Sequence, residues 1–226
     1  VSTSIGTHAP PAYRAPVNRA RQTVAIREVL KSVWTDPRDA VRLGVRSDAA
    51  RLVITVAFLG GILDGLQNLA IGKSLKPEWG PFAVLFALVL GPLIGLVQFA
   101  LFGALIALVG RMLGGSANAS DVRIALACSR VPELVALPFW IPVLAVYGTT
   151  VFEKDPPLPV GVLAFLLIQA ALLIWACVLK VVAVAEAHGF SCWRAFAAMV
   201  LAWLVPVLLV VAVGIGFGAL SADVKA

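Results

Sequence analysis

The 226-residue chain is 61% hydrophobic and only 13% charged, with a mean hydropathy of +0.97, which excludes a soluble domain at roughly 45–50% apolar and about 25% charged residues. Its apolar runs are long and continuous rather than alternating at period two, which excludes a transmembrane barrel. The net charge of +6 does not indicate nucleic acid, because the basic residues sit beside apolar segments, where they set topology and meet anionic headgroups, and no aromatic-basic platform for bases accompanies them.

The expected class is an all-α, polytopic integral membrane protein. Residues 1–21 read as a disordered basic tail, rich in Pro, Ser and Arg, with no apolar stretch that would make a cleaved signal peptide. Residues 22–50 read as cytoplasmic or interfacial amphipathic helices. In "QTVAIREVLKSVW", Ile26, Val29, Leu30, Val33 and Trp34 recur at helical spacing with Arg27 and Lys31 on the other side. In "TDPRDAVRLGV", Asp36 stands as N-cap before Pro37 at the first helical position. Arg27, Lys31, Arg38, Arg42 and Arg46 form the basic set expected to face lipid or a partner.

Residues 51–220 carry five expected spans: Leu52–Ile71, Phe82–Val109, Val131–Val151, Val160–Ala185 and Phe196–Leu220, with 221–226 as a short tail. The second is uncharged for about 42 Å of helix against a core of about 30 Å, so it must tilt, protrude or break. Gly91-Pro92 is the expected break, and a re-entrant pair there would give six spans. The third carries Pro132, Pro138 and Pro142 and should kink. Lys and Arg crowd the segment through Arg51 and the loops after spans two and four (Arg111, Arg123, Arg130, Arg194). The opposite side has only Lys73, Lys76, Lys154 and Lys225. The positive-inside rule then puts the N-terminus in the cytoplasm and the C-terminus outside, with a bacterial inner membrane the expected home. The spacings Gly61/Gly65, Gly91/Gly95, Gly110/Gly114 and Gly214/Gly218 are those of closely packed helices.

The informative side chains are those that lipid excludes. Asp64, Gln67 and Asn68 share one face of the first span. Asp64, Gln98 and Gln169 fall in the middle third of their spans, where hydrogen bonds between helices are expected. Glu133 and Lys180 form a second layer nearer the cytoplasmic face, where they can pair. Asp64 reads first as an interhelical fastening and second as part of an ion, proton or substrate path. Cys128, Cys177 and Cys192 read as small buried hydrophobes. His188, Glu186 and Cys192 lie close in sequence, but Gly189 reads as a turn between them, so no metal is expected. No H-E-x-x-H, G-x-S-x-G, Walker or paired-aspartate motif occurs, and no enzymatic activity or cofactor is expected.

Two longer segments carry a family pattern. "LGGSANASDVRIALACSRVPELVALP" (113–138) has a double glycine, a short polar helix, and a proline opening the next span. "WACVLKVVAVAEAHGFSCWRAFAAMVLAWLVPVLL" (175–209) has a span tryptophan, then "AEAHGFS", then Arg-Ala-Phe. With the earlier "TDPRDAVRLG", this order resembles the Yip-domain family of Ypt/Rab-interacting membrane proteins, in its shorter bacterial form, over about residues 35–218. The resemblance implies a five-span bundle with a cytoplasmic N-terminus, self-association or association with other membrane proteins, and no catalytic residues. The chain lacks the long acidic or aromatic cytoplasmic domain of the eukaryotic type, which argues against small-GTPase binding. The expected function is a non-enzymatic membrane scaffold or adaptor for protein or lipid partners. The alternative is a small transporter or channel using Asp64 and Gln98.

Overall fold

The computed structural model describes residues 19–47, 49–72, 77–153 and 159–223. Within them the chain is all-helical: α1 Arg19–Thr35, α2 Pro37–Arg46, α3 Ala50–Gly72, α4 Gly80–Met112, α5 Ala119–Leu134, α6 Trp140–Tyr147, α7 Val160–His188 and α8 Cys192–Asp223. Five stretches are long and apolar enough to cross a membrane, the third being the composite of α5, α6 and their flanking 3-10 turns, Ala119–Phe152. The protein is a multi-pass membrane protein. Of the expected tail, Arg19–Arg21 belong to α1, and residues 1–18 lie outside the described residues, as do Lys73, Lys76, Lys154 and Lys225.

The two entry helices fold back on the bundle. Asp36 caps α2, its Oδ1 accepting from the backbone N–H of Arg38 (3.1 Å) and Asp39 (3.2 Å), with Pro37 in the first turn, where no donor is missed. Val29 and Val33 of α1 and Val41 of α2 are fully buried, α1 packing on α2 and α5, and α2 on α5 and α7. This end of the bundle shares one core with Ile124, Leu179, Val184 and the alanine stripe Ala195, Ala198 and Ala202 of α8. A second core at the other end gathers Leu63, Leu66, Trp140, Phe152 and Phe165.

Two expectations are corrected. Gly91-Pro92 does not break the second span: α4 is one helix of 33 residues with Pro92 buried inside it, so no re-entrant pair forms. Proline removes a single backbone donor, and at this point α4 lies hard against α3. A Cβ on Gly91 would stand 2.7 Å from the Gly61 carbonyl oxygen, and one on Gly95 2.7 Å from that of Ala57. Backbones this close hold the helix across the missing bond. The helix that carries the third span also starts before Val131. Asn118 and Asp121 form a capping box, Asn118 Oδ1 accepting from Ser120 N (2.8 Å) and Asp121 N (3.0 Å), and the helix runs from there through Pro132 to Leu134. Its polar first half is therefore continuous with the apolar part, and the prolines act later, where Leu137–Phe139 is 3-10 and α6 restarts at Trp140.

Candidate functional site

The charged residues inside the bundle form one connected chain. α5 stands between α3 and α7 and packs on both. From near its C-terminal end, Arg130 reaches across Gly60 of α3, whose missing side chain leaves the guanidinium its place: a Cβ there would sit 3.0 Å from Arg130 Cζ. Arg130 Nη2 donates to Asp64 Oδ1, and its Nε donates to Glu133 Oε2 at 3.2 Å. Glu133, one turn further along α5, accepts from Lys180 Nζ of α7 on its other oxygen at 2.7 Å. Two cations and two carboxylates thus alternate from α3 through α5 to α7 with no net charge. Arg130's planar fork suits the central position, since it serves two carboxylates from fixed donors. Glu133 is the most enclosed member, its side chain 7% exposed. A carboxylate held there is stable only because both its oxygens are engaged.

A second junction ties the loops at the entry-helix end. Gly189, with φ of 70°, closes α7. The buried His188 ring lies in a slot between Gly110 and Gly115, where a Cβ on either glycine would overlap the imidazole. The His188 carbonyl accepts from Ser116 N at 3.2 Å and Ser116 Oγ at 3.4 Å, and Phe190 packs on the ring at 4.9 Å. The α4–α5 loop is thereby fixed to the end of α7. Neither ring nitrogen has a hydrogen-bond partner, and among the described residues no group of three His, Cys, Asp or Glu can hold a metal.

The entry helices present their basic side chains outward. Arg42 is tied down, its Nε donating to Glu186 Oε1 at 2.6 Å, a bond that raises the guanidinium above its ordinary pKa. Arg27, Lys31, Arg38 and Arg46 are exposed and make no ion pair among the described residues. Leu30 and Trp34 are exposed beside them.

The Yip1 domain family model matches residues 31–214, from the second half of α1 almost to the end of α8. The chain belongs to the Yip1-domain family. Comparison with curated proteins and with solved structures returns no match.

In this Yip1-domain protein the intramembrane polar residues divide into those the fold joins and those it leaves apart. Asp64, Glu133 and Lys180 belong to the charged chain. Among the described residues Asp64, Gln98 and Gln169 form no hydrogen bond with one another, unlike the expected mid-membrane layer: α5 packs on both α3 and α7, and Asp64 is turned to Arg130 rather than to Gln98 of α4. Gln98 is exposed instead on α4, and Gln169 is partly buried on α7 with its Oε1 unpartnered. Gln67 is half-buried and Asn68 exposed. Gly61, Gly65, Gly91 and Gly95 lie at the α3–α4 crossing, where a Cβ on Gly65 would stand 3.0 Å from that of Ala87. Among the described residues no atom lies within 4 Å of a Cβ built on Gly214, so no helix of the bundle packs closely on this glycine there. Gly218 lies on α8, with its surroundings outside the described residues.

The residue that sequence reasoning missed is Arg130, read as a loop cation on the basic side of the membrane. The signal was present in its spacing: three residues before Glu133, it shares that residue's helical face.

Proposed function

We propose that this Yip1-domain protein is a non-enzymatic membrane scaffold. Its five spans form a fixed bundle that carries a basic, amphipathic platform, α1–α2, for anionic lipid or a partner's acidic surface. The observation that carries the reading is the way the platform is mounted. Its apolar residues Val29, Val33 and Val41 are used against the bundle and Arg42 is pinned to Glu186, while Arg27, Lys31, Arg38 and Arg46 are left outward beside Leu30 and Trp34. Such a basic stripe with an interfacial aromatic suits an anionic headgroup layer, each cation near the surface adding about 1 kcal/mol. In this reading the N-terminus faces the cytoplasm of a bacterial inner membrane, where the basic residues meet anionic lipid. The charged chain from Asp64 to Lys180 is an interhelical fastening; the pairing of Asp64 with Arg130 supports that role over a transport path. Self-association would use the outer half of α8, whose exposed Gly214 no other described residue covers.

The test is native extraction of the full chain in lipid nanodiscs from its host membrane. Anionic lipids and co-extracted proteins should be enriched around the wild type and lost when Arg27, Lys31, Arg38 and Arg46 are all changed to Glu. A partner-free monomer whose lipid shell does not respond to that reversal overturns the proposal.

A further inference from the structure

Two cavities adjoin on the lipid-facing side of α4. One, of about 230 Å³, follows the α3–α4 seam and is lined by Asp64, Asn68 and Gln98 among glycines, alanines and a few larger apolar side chains. The other, of about 830 Å³, is the cleft between α4 and α8, and Gln98 is its single polar residue. Ile94 and Gln98 line both, so the polar groove opens into the apolar cleft.

Depth and bonding make this surface unusual. Asp64 lies 14 residues into α3, and Gln98 lies 14 residues before the end of α4. Both are therefore about 21 Å from the end of the bundle that carries α1 and α2, deep in a hydrocarbon layer of about 30 Å. Arg130 engages Asp64 Oδ1. Asp64 Oδ2 and the amides of Asn68 and Gln98 have no hydrogen-bond partner among the described residues, and acyl chains provide none. The groove thus offers one spare carboxylate oxygen and two amides, each able to donate and accept.

These groups select a ligand. Asp64 is the only charged residue lining the groove, and its pairing with Arg130 leaves no net charge there, so a phosphate or an added cation would be buried at this depth without compensation. A hydroxyl on an uncharged head can donate to Asp64 Oδ2 and accept from the amide N–H groups of Asn68 and Gln98, and such a head can descend to the middle of the bilayer. The volumes divide in the same way. A ligand pocket typically measures about 300–1,000 Å³, so the groove is large enough for a head only, whereas the cleft is large enough for acyl chains. We propose that the α3–α4–α8 surface binds an uncharged, hydroxyl-bearing glycerolipid of the diacylglycerol class, with its head at Asp64, Asn68 and Gln98 and its chains along α4 and α8. This site is independent of the basic platform and of the scaffold reading.

The experiment places the full chain in phosphatidylcholine nanodiscs with photoactivatable probes that share acyl chains and differ in head: diacylglycerol, phosphatidic acid and phosphatidylcholine. Labelled peptides are then mapped. The diacylglycerol probe should label α4 and α8 saturably and most strongly, and unlabelled diacylglycerol should compete. Asn68→Leu and Gln98→Leu should each cut that labelling about two- to tenfold, the range expected for one lost hydrogen bond. Neither residue makes a hydrogen bond among the described residues, so both variants should keep the wild-type unfolding midpoint, which is measured alongside. Equal labelling by all three probes would mean an annular lipid only and would overturn the proposal. So would stronger labelling by phosphatidic acid, or diacylglycerol labelling unchanged in both variants.

Discussion

Replacing Arg130 with methionine keeps the length and helix propensity of the side chain and removes the charge that joins α3 to α5. The network that remains is uneven. Glu133 keeps Lys180 at 2.7 Å, so the carboxylate left alone is Asp64, whose side chain is 29% exposed. Removing one partner of a buried ion pair costs about 3–5 kcal/mol. Because Asp64 is only partly enclosed, the loss should fall at the lower end, about 3 kcal/mol. Glu133→Gln should cost less, about 1–2 kcal/mol, since Arg130 then keeps Asp64 and the freed Lys180 has a flexible stem along which to snorkel. The assay is SDS titration of the detergent-solubilised protein, followed by tryptophan fluorescence. The double variant Asp64→Asn, Arg130→Met strands no charge and should lose less than the sum of the singles, by about 1–3 kcal/mol. An Arg130→Met protein within about 0.5 kcal/mol of wild type, or strict additivity in the double variant, would refute the network's fastening role.

The glycines of α3 and α4 should separate sharply from that of α8. Gly95→Leu drives a side chain into the Ala57 carbonyl and the Gly61 backbone and should prevent the native crossing, read as loss of the cooperative SDS transition; Gly214→Leu should stay within about 0.5 kcal/mol of wild type in the same titration. Gly110→Ala places a methyl in the His188 ring and should cost about 1–3 kcal/mol. Adding His188→Ala should recover part of that loss, whereas additive costs would place the clash elsewhere. Asp36→Ala removes the α2 cap and should lower the helix's stability by about 1 kcal/mol, seen as faster amide exchange at Arg38 and Asp39; unchanged exchange would contradict the cap.

The spans were legible because hydropathy over about twenty residues is a strong signal, and the entry helices because Asp36-Pro37 and the valine spacing are local. The α4 path through Pro92 was not. A proline reads as a breaker from sequence alone, and only the contact of Gly91 and Gly95 with α3 shows what holds the helix on either side of it. The polar helix after the double glycine was legible too, but its continuity was not: Pro132 reads as the opening of a new span, whereas one helix runs from the Asn118–Asp121 box through it to Leu134. Asp64 was legible as an anomaly but not as a partner. Its cation lies 66 positions away, on a residue whose charge also served a topology argument. Counting Arg130 as a membrane-side marker concealed that it shares a helical face with Glu133.

In the proposed reading Asp64 fastens helices rather than carrying ions. The deciding measurement is proton and monovalent-cation flux into proteoliposomes containing the full chain, compared with Asp64→Asn and with protein-free vesicles. Both proteins should leak no faster than empty vesicles, while Asp64→Asn unfolds at lower SDS. A flux above the empty-vesicle rate that disappears in a folded Asp64→Asn protein would contradict it and make the carboxylate part of a path.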